Sequence, residues 1–185
     1  MYFWKIFMKL SISNILLLIC TLLFWLSTIF PWFYNLWMNS YYLENRDFFG
    51  VLLQFIFYSL LHGGVAHLLM NCLFIYYFGN QVEFIIGTKE YLLFFIWNTI
   101  FVGIGLLLLA SGNTIGISGF AIAVLSYYTL HLRSIGNPEY TGGITAIVIN
   151  IALGFVPGIS LWGHLLWAVF GVIFYFSVTS FKKRA

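Results

Sequence analysis

One serine, two histidines and one asparagine lie in apolar segments of this sequence at spacings that suit hydrolytic chemistry. Ser118 opens an apolar stretch within a Gly-Ile-Ser-Gly segment, and His164 opens another directly after a glycine. His67 and Asn71 are four residues apart, so they share one face of any helix that contains them. A serine hydroxyl becomes an effective nucleophile when a neutral histidine accepts its proton. Ser118 and His164 are therefore the candidate nucleophile and base.

The same residues offer groups that stabilise the negative charge formed during acyl transfer. Unpaired N–H groups at a helix start favour such a charge, and Ser118 is expected at a helix start. The side chains of His67 and Asn71 can add donors, an effect worth a few kcal/mol per donor in comparable hydrolases. Each residue also has an ordinary alternative, since a membrane serine most often bonds its own backbone and an asparagine often joins two helices.

The composition requires a lipid bilayer as the surrounding solvent. Of the 185 residues, 62% are hydrophobic and 7% charged, which leaves too little polar surface to cover a water-soluble globule. The net charge of +3 comes mostly from chain ends and loops, with no basic patch for nucleic acid. Cys20 and Cys72 lack the spacing of a metal site. We expect no cofactor, no metal and no nucleic-acid partner, and the sequence does not indicate an oligomeric state.

Six apolar segments are predicted to cross the bilayer as helices. They are residues 11–30, 65–79, 91–110, 117–132, 143–156 and 163–181. Three of them are shorter than the roughly 20 residues that a perpendicular span needs, so we expect local thinning of the bilayer or a protein-lined surrounding. A further stretch, 48–61, is short for a span and is expected to be interfacial or re-entrant. The predicted fold class is an all-α membrane protein, with a single six-helix domain over residues 1–185.

The positions of the basic residues predict which side of the membrane each loop faces. With six spans and a cytoplasmic N-terminus, all but one of the eight basic residues face inward. The inward residues are Lys5, Lys9, Lys89, Arg133, Lys182, Lys183 and Arg184, and the outward one is Arg46. Both termini are therefore expected in the cytoplasm, and the expected location is a bacterial inner or plasma membrane. The four candidate site residues then share the outer half of the bilayer, where polar side chains are functional candidates.

Other residues are predicted to serve packing. Gly119 and Ala123 form a small-residue face that lets another helix approach closely, and Gly171 is expected on the opposing surface. Glu83 is interpreted as a structural hydrogen-bond acceptor rather than an acid catalyst. His62 is expected at the membrane interface.

In order and spacing, these elements resemble the rhomboid family of intramembrane serine proteases. The matching positions span most of the chain after the first predicted helix: His62, His67, Asn71, Glu83, Gly87, Gly116, Ser118, Gly119, Gly163, His164 and Gly171. The resemblance implies a minimal six-helix rhomboid-like bundle and a Ser118/His164 dyad without an acidic third member. It implies an oxyanion site that draws on His67, Asn71 and the serine backbone. It further implies transmembrane protein substrates and a loop at 156–161 that covers the site.

The sequence departs from the family pattern at three places. Ile122 follows the serine by four residues, where the family usually has an aromatic ring that stacks on the histidine. Trp167 follows the histidine by three residues, where the family usually has glycine. Leu53 and Gln54 replace a Trp-Arg pair that is common in the outer loop. None of these changes removes a reacting group.

Two rival functions fit parts of the sequence. A rhomboid-like protein that binds transmembrane clients without cutting them normally lacks the serine or the histidine, and this chain keeps both. A small transporter or channel usually carries ionisable residues along a pathway, whereas every carboxylate here lies in a loop or near a helix end. The predicted function is therefore that of an intramembrane serine endopeptidase.

Overall fold

The computed structural model describes residues 11–110, 112–156 and 158–182, and these residues form an all-α architecture. The helices are α1 (Ile12–Ile29), α2 (Tyr41–Glu44), α3 (Phe48–Phe57), α4 (Val65–Phe74), α5 (Asn80–Ile86), α6 (Thr88–Leu109), α7 (Ser118–Ser134), α8 (Tyr140–Leu153) and α9 (Leu161–Lys182). A 3₁₀ turn, Pro31–Leu36, follows α1, and a π-helical stretch, Ile75–Gly79, joins α4 to α5. The predicted all-α class is confirmed.

Three of the described helices are long and apolar enough to cross a bilayer. These are Ile12–Ile29, Thr88–Leu109 and, within α9, Leu161–Ser180. The remaining predicted spans correspond to shorter elements, with 17 residues in α7 and 14 in α8, so the number of spans stays a prediction. The predicted cytoplasmic residues Lys5, Lys9, Lys183 and Arg184 lie outside the described part of the chain.

The helix that contains the second predicted span continues beyond residue 79. The helix passes from α4 through the π-helical stretch into α5 and ends before Gly87, whose φ of 102° suits a glycine. Gly79 keeps helical angles, and a β-carbon there would lie 2.6 Å from the Tyr91 hydroxyl. The helix thus continues past residue 79, where this glycine serves close packing rather than helix termination. The extent of the membrane span itself stays a prediction.

The start of α1 is held by Glu83 of α5. Its carboxylate accepts hydrogen bonds from the Ile12 and Ser13 amides, both at 3.0 Å, and from the Ser13 hydroxyl at 3.1 Å. The Ser11 hydroxyl accepts from the Asn14 amide at 3.1 Å. These contacts satisfy N–H groups that a helix start leaves unpaired. The predicted structural role of Glu83 is confirmed.

The buried core surrounds α7, whose residues from Gly119 to Tyr127 are all buried. The Phe120 ring packs edge-on against the Phe94 ring, with 5.1 Å between centroids. Phe94 in turn stacks on Phe174 of α9 at 4.2 Å, with the two rings nearly parallel. This aromatic packing holds the buried middle of α7 against α6 and α9.

Among the described residues, α7 and α9 form the most extensive contact between two helices. A β-carbon on Gly171 would overlap the backbone of Ala123, and one on Gly119 would overlap the indole of Trp167. These two contacts are one helical turn apart on both helices, so small residues let the helices approach closely along this seam. The predicted small-residue face and its partner Gly171 are confirmed.

Candidate active site

Ser118 is the first residue of α7 and follows a loop that is fixed at Gly116. The Gly116 amide donates to the Tyr58 carbonyl at 2.8 Å, and its φ of 109° lies in a region that favours glycine. Ile117 is fully buried and anchors the end of the loop in the core. Ser118 itself is half-buried, and its hydroxyl has no hydrogen-bond partner among the described residues. The hydroxyl is therefore available to a ligand or a base.

His164 lies in the first turn of α9, which begins after Ser160. The Ser160 hydroxyl accepts from the Gly163 amide at 3.1 Å, and the Ser160 carbonyl accepts from the His164 amide at 3.0 Å. The imidazole Nδ1 lies 2.5 Å from the backbone carbonyl oxygen of Asn150 in α8. A carbonyl only accepts, so Nδ1 carries the proton and the neutral ring keeps its Nε2 lone pair. That is the tautomer required of a base that takes a proton through Nε2.

The candidate nucleophile and base line one cavity of about 720 Å³. Its wall contains side chains from α4, α7 and α9, including His67, Ser118, His164 and Trp167. Residues 158–160 of the predicted covering loop also line it. The structure thus brings three of the four predicted site residues to one cavity beside that loop.

His67 and Asn71 both lie against the loop that leads into Ser118. A β-carbon on Gly116 would be 2.9 Å from the His67 Nε2 atom and 3.7 Å from the Asn71 Nδ2 atom. Asn71 is buried, does not form part of the cavity wall, and its Nδ2 atom has no hydrogen-bond partner in the described ranges. An unpaired buried donor is costly, so this amide is available to an acceptor next to the loop.

His62 is only 1% exposed and is therefore enclosed by protein. Its expected depth at the membrane interface stays a prediction. Its Nδ1 atom is 3.2 Å from the Leu60 carbonyl oxygen, and its ring centroid is 5.2 Å from that of His67. Burial, followed by the charge of His67, lowers the pKa of His62 to about 4, so the ring is neutral near pH 7. Two apolar neighbours, Leu60 and Leu61, were the sequence signal for this burial.

Two contributors to the site were not predicted from the sequence. Asn150 acts through its backbone carbonyl, which no side-chain pattern reveals. Trp167 packs its indole on Gly119 with its ring centroid 5.7 Å from that of His164. Within the described ranges, no group of three or more His, Cys, Asp or Glu side chains is arranged to hold a metal ion.

Comparisons with a family model and with individual proteins point to the same family. A family model described as the Rhomboid domain matches residues 50–181, more than half of the chain. Rhomboid protease GlpG of Yersinia pestis (strain Pestoides F) is 30% identical over 99 residues, which are 54% of this chain and 32% of that protein. Rhomboid protease GlpG of Yersinia pseudotuberculosis serotype O:3 (strain YPIII) matches to the same extent. The matched region therefore spans about a third of each relative's length.

Three described helices that are long and apolar enough to cross a bilayer indicate a helical integral membrane protein. The chain belongs to the rhomboid family.

Proposed function

We propose that this protein is an intramembrane serine endopeptidase that cuts peptide bonds in or near transmembrane segments of other membrane proteins. The observation that carries this proposal is the cavity shared by Ser118 and His164, together with the Asn150 carbonyl that sets the tautomer of the histidine. Relatives that bear the name rhomboid protease support the same reaction.

In the proposed mechanism, the Ser118 Oγ atom attacks the substrate carbonyl carbon while the His164 Nε2 atom accepts the serine proton. The resulting imidazolium then gives that proton to the leaving amine, which frees the first product and leaves an acyl-enzyme. Water attacks the acyl-enzyme with the same histidine as base, and Ser118 is regenerated. Catalytic hydrogen bonds are often long without substrate, which fits the unpaired Ser118 hydroxyl.

The negative oxygen of the tetrahedral intermediate requires donors, and we assign this role to three groups. They are the backbone N–H at the start of α7 and the side chains of His67 and Asn71. The packing of both side chains against Gly116, two residues before Ser118, supports this assignment. Donors that are fixed before the reaction stabilise the transition state without further reorganisation.

We propose that the domain covers residues 1–185 and has six spans with both termini in the cytoplasm. This topology faces all but one of the eight basic residues inward. The named relatives come from bacteria, and we propose that this protein lies in a bacterial inner or plasma membrane. The cavity would then lie in the outer half of the bilayer, and substrate would enter sideways from the lipid.

A helical substrate hides its peptide bonds in internal hydrogen bonds, so it must unwind locally before Ser118 can attack. Substrates with glycine, proline or other weak helix formers near their outer end should therefore be preferred. A set of tethered substrates in which those residues are replaced by leucine tests this proposal. Slower cleavage of the leucine variants is expected, and equal cleavage would contradict sideways entry with local unwinding.

The experiment that tests the proposed chemistry is labelling of the purified protein with a fluorophosphonate, which reacts with activated serines. Wild-type protein should be labelled at Ser118, and labelling should disappear in Ser118→Ala. Labelling at another residue, or equal labelling of both proteins, would contradict the assignment of the nucleophile.

A further inference from the structure

The indole of Trp167 touches the backbone beside both members of the proposed dyad. On one side it packs on Gly119, the residue that directly follows Ser118, so closely that a β-carbon on Gly119 would overlap the pyrrole part of the ring. On the other side it lies over Gly163, which directly precedes His164. A β-carbon there would be 2.9 Å from the Cζ3 atom of the indole. Trp167 belongs to α9 itself, one turn beyond Gly163, so its indole lies between the first turn of α9, which carries His164, and the start of α7, which carries Ser118.

The same indole also supports the ring of His164. The two ring centroids are 5.7 Å apart with an interplanar angle of 42°, within the range of favourable aromatic pairs. The hydrogen bond to the Asn150 carbonyl holds one ring atom of His164 but leaves the tilt of the ring about that bond open. A neighbouring aromatic ring restricts that tilt. Trp167 is 3% exposed, so its own position is fixed by the surrounding core.

We propose that Trp167 is a positioning residue, whose indole between Gly119 and Gly163 sets the separation of Ser118 and His164 and the orientation of the imidazole. The inference rests on the proposed function, because a fixed separation matters only if the serine and histidine react together. A β-carbon at position 119 would overlap the indole and one at position 163 would crowd its edge at 2.9 Å, and both residues are glycine. Small displacements of reacting groups have large kinetic effects, on the order of 100-fold for about 1 Å.

The test compares Trp167→Ala and Trp167→Phe with a matched control, Phe170→Ala. Phe170 lies three residues further along α9, is similarly buried at 8% exposure and packs against Phe94. It is not among the residues that line the cavity. All three substitutions remove buried aromatic surface and should lower the thermal unfolding midpoint. Trp167→Ala should also lower kcat, by roughly 10- to 100-fold with a smaller change in KM. Trp167→Phe should lie between it and wild type, and Phe170→Ala should keep a kcat close to that of wild type.

A second measurement follows the imidazole without relying on catalysis. Histidine labelled with ¹⁵N gives an N–H proton signal for His164 that the bond to Asn150 protects from exchange, and His164→Asn identifies that signal by its loss. Trp167→Ala should broaden the signal or speed its exchange with water, whereas Phe170→Ala should leave it unchanged. An unchanged signal in Trp167→Ala, or equal loss of turnover per folded molecule in Trp167→Ala and Phe170→Ala, would overturn the positioning role.

The two proposals fail in different ways. If wild type and Ser118→Ala cleave a substrate equally, the proposed function is wrong, and the exchange measurement on His164 still decides whether Trp167 orients the ring. If cleavage depends on Ser118 but Trp167→Ala keeps wild-type kcat, the proposed function stands and the positioning role is rejected.

Discussion

The backbone of Gly116 lies directly against the imidazole of His67. A β-carbon at position 116 would be 2.7 Å from the His67 Cε1 atom, and the φ of Gly116 is 109°. The loop that precedes Ser118 therefore packs directly against the helix that carries His67, and the contact is made at Gly116. Even a methyl side chain at position 116 would collide with the His67 ring.

Gly116→Ala should therefore displace His67 and strain the loop. We expect turnover to fall by about 10- to 1,000-fold, the range for loss of an oxyanion donor, and stability to fall by about 1–2 kcal/mol from the unfavourable backbone angle. The control is Gly112→Ala in the same loop, where a β-carbon meets nothing within 4 Å. Steady-state cleavage and thermal unfolding of the two variants provide the comparison. Equal activity of the two would argue against the close contact between Gly116 and His67.

Loss of a proposed oxyanion donor should slow cleavage but leave Ser118 reactive. His67→Ala and Asn71→Ala should each lower turnover by about 10- to 1,000-fold without abolishing fluorophosphonate labelling of Ser118. Leu69→Ala is the control, because Leu69 lies on the same helix and is 56% exposed. Rates like those of the control would assign His67 and Asn71 to packing instead.

Glu83→Gln should destabilise the protein without changing the chemistry of the site. The neutral amide replaces a carboxylate that accepts three hydrogen bonds at the start of α1. Hydrogen bonds to charged groups contribute about 1.5–3 kcal/mol, so a clear drop in the unfolding midpoint is expected. Glu44→Gln, which changes an exposed carboxylate, serves as the control. A Glu83→Gln protein as stable as this control would contradict the structural role.

Burial of His62 should make the folded protein less stable at acidic pH. Its pKa is lowered from 6.5 to about 4 in the folded protein, so between these values the unfolded chain binds a proton that the folded chain does not. The contribution of His62 to stability is therefore present above pH 6.5 and is lost as the pH falls towards 4. Unfolding midpoints of wild type and His62→Phe should converge as the pH falls through this window. Parallel curves would show that His62 does not contribute to the pH dependence.

The sequence predicted best those features that depend only on the type and spacing of side chains. The apolar segments predicted the all-α class, and the small residues Gly119, Ala123 and Gly171 predicted the close seam between α7 and α9. Ser118 and His164 were predicted as a pair, and they do line one cavity. These features follow from hydrophobicity, side-chain size and spacing.

Features that depend on three-dimensional context were missed. The sequence did not show that the helix continues past Gly79, because the close fit of this glycine against Tyr91 depends on how the helices pack. The acceptor for His164 is a backbone carbonyl, which every residue has, so nothing in the sequence singles out Asn150. Trp167 was noted only as a departure from the family pattern, because its fit against Gly119 requires the helix packing to be known.

The most direct test of the account is cleavage of a purified transmembrane substrate in liposomes by wild type, Ser118→Ala and His164→Ala, with cut sites mapped by mass spectrometry. Circular dichroism and unfolding midpoints should show that both variants fold. Wild type is expected to cut near the outward-facing end of the transmembrane segment, and each variant is expected to lose about 1,000-fold or more in turnover. Substantial turnover by folded Ser118→Ala, or cuts clustered at the cytoplasmic end, would contradict this expectation.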